Sequence, residues 1–188
     1  MLDMEAITTE SNSKSPAVLF LGFMLLCFCI LQPVHAHLMV AQHGTLNIID
    51  DEIYMVLSLP ISGFERIDND EDGKVTMIEF NRQREAITRQ INQGVMLSDS
   101  QQSFSLESLL LSPVADHHDK TQSLTQLIIM GKYTIKNATD KLIFHVDIYG
   151  KDSGEKNIEV TAKRDAKRQK HTFELTPKAS SAILFNSF

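Results

Sequence analysis

The chain has 188 residues, a formal net charge of −6 at pH 7, and 43% hydrophobic residues. This acidity argues against nucleic acid or an anionic lipid surface as a partner, because both attract basic proteins. The two cysteines, Cys27 and Cys29, both lie in an N-terminal apolar segment. The rest of the chain is therefore predicted to form one domain without disulfide bonds.

The N-terminal apolar segment, residues 17–31, has the length of the hydrophobic region of a signal peptide. It is shorter than the roughly 20 residues that a membrane-spanning helix needs. The residues that follow suit cleavage by signal peptidase after Ala36, so residues 1–36 are predicted to be a signal peptide. Because acids precede the apolar segment, an uncleaved membrane tether at residues 17–36 stays open as an alternative. In both cases residues 37–188 are predicted to be extracytoplasmic, either periplasmic or secreted.

The mature chain is predicted to begin with an antiparallel β-hairpin. Two apolar segments, residues 45–49 and 53–59, are separated by Asp50-Asp51-Glu52, which is typical of a turn. Pro60 ends the second segment and suits the first turn of a helix.

Residues 68–79, which we call the acidic loop, read D-N-D-E-D-G-K-V-T-M-I-E. This spacing predicts a calcium site, since carboxylates at alternate positions converge on one point and Ca²⁺ takes six to eight oxygen ligands. Gly73, at the sixth position, suits the sharp turn that such a loop requires. The predicted metal ligands each contribute oxygen and are Asp68, Asp70, Asp72, Lys74, Thr76 and Glu79. Lys74 is expected to bind through its backbone carbonyl, Thr76 through its hydroxyl or a water, and Glu79 through two oxygens.

On this motif the segment from Phe64 to Phe80 resembles the EF-hand calcium-binding proteins. The resemblance implies a helix-loop-helix unit with Ca²⁺ as its cofactor. EF-hands of cytosolic sensors usually occur in pairs that share a short β contact, and the sequence contains no second EF-hand motif. A structural calcium site is therefore expected rather than a sensor.

Helices are predicted on both sides of the acidic loop. Ile61, Phe64 and Ile67 recur at helical spacing and predict an entering helix of about two turns. Apolar residues share one face from residue 77 to residue 92, which predicts a longer exiting helix, with Gly94 as its C-terminal cap.

The remaining sequence is predicted to be β-structure, because short segments of alternating polarity are separated by turn residues. The candidate strands are residues 94–97, 105–111, 124–135, 141–149, 157–162, 170–175 and 182–185. The expected fold is mainly β, an antiparallel and immunoglobulin-like sandwich with the EF-hand inserted at residues 60–93. This layout resembles small exported bacterial EF-hand β-sandwich proteins, and more weakly the extracytoplasmic segment of hydrogenase/urease accessory-type membrane proteins.

Histidines offer an alternative metal chemistry. After cleavage His37 would provide an N-terminal amine and an imidazole, a chelate that suits copper, with His43 as a further ligand. The cluster Asp116-His117-His118-Asp119 is a second candidate for a transition metal.

Motifs for nucleophilic or phosphate chemistry are missing from the mature sequence, so the protein is not expected to be an enzyme. The predicted function is an exported protein that binds one calcium ion as a structural site, in an interaction module for an envelope protein. The alternative is a periplasmic copper-binding protein that uses His37.

Overall fold

The computed structural model describes residues 41–116, 122–136 and 141–185, which contain ten β-strands, one α-helix and three short 3₁₀ turns. The strands are β1 (His43–Ile49), β2 (Glu52–Pro60), β3 (Val95–Ser98), β4 (Ser103–Phe104), β5 (Leu106–Ala115), β6 (Leu124–Thr134), β7 (Ile143–Val146), β8 (Ile158–Arg164), β9 (Gln169–Leu175) and β10 (Ser181–Ile183). Helix α1 is Met77–Gly94, and the 3₁₀ turns are Ile61–Gly63, Ser153–Glu155 and Asp165–Lys167.

The strands form two sheets, with six strands in the order β5-β6-β2-β1-β8-β9 and four in the order β10-β7-β3-β4. Neighbouring strands are antiparallel except for β1 and β8, where residues 43–48 run parallel to residues 159–164. The predicted class, mainly β with antiparallel sheets, is confirmed. The parallel pair departs from the expected wholly antiparallel arrangement.

The first two strands form the predicted hairpin. Ile49 pairs with Glu52, so the turn consists of Asp50 and Asp51, and Asp50 has a φ angle of 50°. Such a left-handed conformation is tolerated better by aspartate than by most residues. Every second residue of β1 from Gly44 is buried, and the side chains of Leu46 and Ile48 join residues of the second sheet and of α1 in one apolar cluster.

Helix α1 begins at Met77, so the last three residues of the acidic loop form its first turn. Thr76 and Glu79 form a capping box, in which the Thr76 hydroxyl accepts the Glu79 N–H and the Glu79 carboxylate accepts the Thr76 N–H. Phe80, Ile87 and Ile91 provide the buried face of the helix. The predicted exiting helix is confirmed at its start, Met77, where the capping box is an additional local signal.

The end of α1 differs from the prediction. Gly94 is the last residue of the helix rather than a cap in the left-handed conformation, and β3 follows at once. A Cβ at Gly94 would lie 2.2 Å from Asp147 Oδ1 and 2.9 Å from Ile148 Cγ1. The predicted cap is therefore wrong, because glycine is needed here for close packing.

The entering helix is also wrong as predicted. Only the 3₁₀ turn Ile61–Gly63 precedes the acidic loop, and Arg66 has a φ angle of 57°, which a right-handed helix does not allow. Phe64 and Ile67 are nevertheless buried, at 1% and 3% exposure. Both residues lie in an irregular segment whose side chains enter the core. A periodic pattern of apolar residues alone cannot distinguish such a segment from a helix.

The segment between β2 and β3 is attached to β6 at two points. The Leu124 N–H donates to the Val75 carbonyl at 2.7 Å, and the Tyr133 hydroxyl donates to the Val95 carbonyl at 3.2 Å. Leu124 is the first residue of β6, and Tyr133 lies near its end. The acidic loop and the far end of α1 are thus both held by the same strand.

Candidate metal centre

Three acidic residues of the loop converge. Asp68, Asp70 and Glu79 each have one carboxylate oxygen within 4.8 Å of the other two. Calcium binds oxygen at about 2.3–2.6 Å, so two oxygens on one ion lie at most about 5 Å apart. Three of the six predicted ligands therefore have a spacing that one cation can bridge.

Asp68 contains an unsatisfied buried oxygen. Its Oδ2 accepts the Gly73 N–H at 3.0 Å, while its Oδ1 is buried without a hydrogen-bond partner among the residues described. A buried polar atom without a partner is costly, and few occur in folded proteins. A cation at this position would supply the missing interaction, so the donor set fits a hard, oxygen-binding ion.

Glu79 is the most enclosed of the three acids, at 6% exposure. Its Oε1 accepts the Asn69 N–H at 2.8 Å, and its Oε2 accepts the N–H and the hydroxyl of Thr76 at 2.8 and 2.9 Å. Hydrogen bonds from the Thr76 and then the Asn69 backbone N–H lower the Glu79 pKa below its ordinary value of 4.5. The carboxylate is therefore charged at neutral pH and available to a cation.

The backbone of the acidic loop turns through two left-handed residues, Glu71 at φ 60° and Gly73 at φ 80°. A Cβ at Gly73 would have no other atom within 4 Å. The glycine is therefore required by its backbone conformation and not by crowding, as the sequence predicted.

Of the other three predicted ligands, Asp72 is not among the converging carboxylates, and Lys74 and Thr76 would ligate through a carbonyl and a hydroxyl. Asp72 Oδ1 accepts the Lys74 N–H at 2.8 Å, and the Asp72 N–H donates to Asp70 Oδ1 at 3.3 Å. The Thr76 hydroxyl takes part in the capping box of α1. Ligation by Asp72, by the Lys74 carbonyl and by Thr76 stays a prediction.

Two residues contribute to the site without a signal in the calcium pattern. Asn69 donates its N–H to Glu79, and its side-chain Oδ1 accepts the amide of Gln83 on α1 at 2.9 Å. Leu124 donates to the Val75 carbonyl from a distant part of the sequence. Neither contact follows from the twelve-residue spacing of the acidic loop.

A cavity of about 400 Å³ lies beside the acidic loop. Asp68 and Lys74 line it on the loop side, Leu124 on the side of β6, and Lys151 and Glu155 on a third side. The cavity therefore borders the acidic loop on the side of Asp68.

The histidine predictions gain no structural support. His43 Nε2 lies 3.5 Å from Glu159 Oε1, and its Nδ1 donates to the Ala41 carbonyl at 2.8 Å. His37, His117 and His118 lie outside the described residues, as does the predicted cleavage region. Copper binding stays a prediction.

Comparison with protein-family models and with curated protein sequences found no match for this chain. Within the described ranges, the helices are too short or too polar to cross a membrane.

Proposed function

We propose that the acidic loop binds one calcium ion in the manner of an EF-hand. The observation that supports this most is the convergence of Asp68, Asp70 and Glu79 within 4.8 Å, with Asp68 Oδ1 buried and unsatisfied. The twelve-residue spacing of oxygen donors is typical of calcium loops, and the convergence of three of these carboxylates is consistent with a cation among them.

The ligands would be divided between side chains and backbone. Asp68, Asp70 and Asp72 would provide carboxylate oxygens, and Lys74 would provide its carbonyl. Glu79 would provide two oxygens. Thr76 would bind directly or through a water. Calcium then neutralises the acids that otherwise repel one another in this segment.

A structural role is more consistent with the surroundings of the site than a sensor role. Phe80, Ile87 and Ile91 of α1 pack into the apolar core, and the loop is hydrogen-bonded to β6, so exposing this face on ion binding would require the core to open. Extracellular calcium-binding modules bind at about 10⁻⁴–10⁻³ M, which suits a site that stays largely occupied outside the cytosol.

The wider proposal is an exported protein whose residues 37–188 form one β-sandwich domain, immunoglobulin-like in its strand spacing, with the calcium segment inserted between its second and third strands. The domain would act as an interaction module for an envelope protein. The apolar segment at residues 17–31 and the extracytoplasmic calcium supply are the grounds for placing it there.

Isothermal titration of the purified protein with Ca²⁺ tests the site directly. We expect one bound ion per chain, and we expect Glu79→Ala to abolish the heat of binding. Glu85→Ala is the matched control, because Glu85 is an exposed acid on the same helix. Equal heats for the native protein and Glu79→Ala would refute the proposal.

A further inference from the structure

The bridge between the acidic loop and β6 lies at the eighth loop position. The Val75 carbonyl accepts the Leu124 N–H at 2.7 Å, and both side chains are buried, at 6% and 4% exposure. Both residues belong to the same apolar cluster. This backbone contact is therefore flanked by two buried side chains, and breaking it would cost a hydrogen bond at the edge of the core.

The bridge lies between two of the proposed ligand residues. Lys74, whose carbonyl would bind the ion, precedes Val75 directly. Thr76 follows it and donates its N–H to Glu79 at 2.8 Å. Peptide planarity limits how far the Val75 carbonyl can move while both neighbours are fixed. An ion that fixes Lys74 and Glu79 therefore also fixes the acceptor that faces Leu124.

We propose that β6 occupies the place that a second calcium loop takes in paired EF-hands, and that ion binding stabilises the start of this strand. This inference depends on the calcium site proposed above. The response to calcium would then be a more stable pairing of Leu124 with the loop, rather than the opening of a groove between two EF-hands.

The geometry of the insert supports this reading. Helix α1 has 18 residues and so is about 27 Å long, at 1.5 Å per residue. From Leu124 to Tyr133, β6 is about 30 Å long, at about 3.3 Å per residue. The helix is therefore nearly as long as this part of the strand. The two ends of the strand donate hydrogen bonds to the carbonyls of Val75 and Val95. Loop, helix and strand form one closed unit, in which ion binding at one end stabilises the contact to β6.

Amide hydrogen exchange of the full chain, followed by NMR, tests the coupling. If opening of the Val75–Leu124 bridge requires release of the ion, calcium at 100 times its dissociation constant slows exchange of the Leu124 amide about 100-fold. The Gly73 amide, bonded to Asp68 at 3.0 Å, reports ion binding in the loop itself. The Ala179 amide, in a separate turn with Thr176, should exchange at the same rate with and without calcium.

A ligand variant makes the test sharper. Asp70 is exposed, so Asp70→Asn should weaken calcium binding without disturbing the core. We expect the calcium concentration that protects Leu124 to rise in this variant by the same factor as the concentration that protects Gly73. Protection of Gly73 without protection of Leu124 would overturn the coupling and leave the calcium site in place. No calcium effect on either amide would overturn both proposals.

Discussion

Replacement of Glu79 by glutamine tests the metal centre with almost no change in side-chain shape. The carboxylate accepts three hydrogen bonds, from the Asn69 N–H and from the N–H and hydroxyl of Thr76. Glutamine replaces one of the two carboxylate oxygens by an NH₂ group, which cannot accept a hydrogen bond. Hydrogen bonds to charged groups contribute about 1.5–3 kcal/mol each. With partial rearrangement of the amide, we expect the free energy of unfolding without calcium to fall by about 2 kcal/mol.

In the presence of calcium the expected loss is larger. An ion at 100 times its dissociation constant adds about 2.7 kcal/mol to the stability of the native protein, and Glu79→Gln should lose this increment as well. The total is then about 5 kcal/mol. For a domain of about 150 residues, each kcal/mol changes Tm by about 2–4 °C. We therefore expect Tm to fall by about 4–8 °C in EGTA and by about 10–20 °C in calcium.

Thermal denaturation followed by circular dichroism, with EGTA and with calcium, measures both values. Glu85→Gln is the matched control, since it makes the same chemical change at an exposed position of α1 and should alter stability by less than about 0.5 kcal/mol. A Glu79→Gln variant that keeps the full calcium-induced rise in Tm would show that Glu79 is not a ligand.

Two further predictions concern pH and packing. Because the folded Glu79 pKa is below 4.5, its contribution to stability is complete above pH 4.5 and is lost as pH falls through the folded pKa. Urea unfolding in EGTA between pH 7 and 3 should show a smaller acid loss in Glu79→Gln, and equal losses would contradict the assignment. Gly94→Ala should cost about 1–3 kcal/mol, since its Cβ would lie 2.9 Å from Cγ1 of the buried Ile148. Gly154→Ala, with open space around the Cβ, should be within about 0.5 kcal/mol of the native protein in the same melting assay, and equal Tm values for both variants would refute the packing argument.

The features that could be predicted from the sequence are those that depend on near neighbours. The start of α1 follows from Thr76 and Glu79, three residues apart, whose side chains cap the helix by themselves. The β1–β2 hairpin follows from two acidic turn residues between apolar strands. The turn at Gly73 likewise depends only on the order of residues within the acidic loop.

The features that could not be predicted depend on contacts between distant residues. Gly94 resembles a helix cap in the sequence, whereas its real constraint is close packing against the buried Ile148. Helical spacing is present at Ile61, Phe64 and Ile67, but these buried residues do not lie in an α-helix. In the metal centre, the convergence of Asp68, Asp70 and Glu79 agrees with the spacing, while the partner of Val75 lies in a strand that no local pattern connects to the loop.

The parallel pairing of β1 with β8 has a consequence for the order of folding. In the six-stranded sheet, β5, β6, β2 and β1 precede β8 and β9 in the chain, and the described strands of these two groups are hydrogen-bonded through residues 43–48 and 159–164. Closing so long a loop is entropically slow, and chains rich in such distant contacts fold slowly. The edge of β1 therefore stays open, with its backbone groups unpaired, until the chain as far as Arg164 is available to close it.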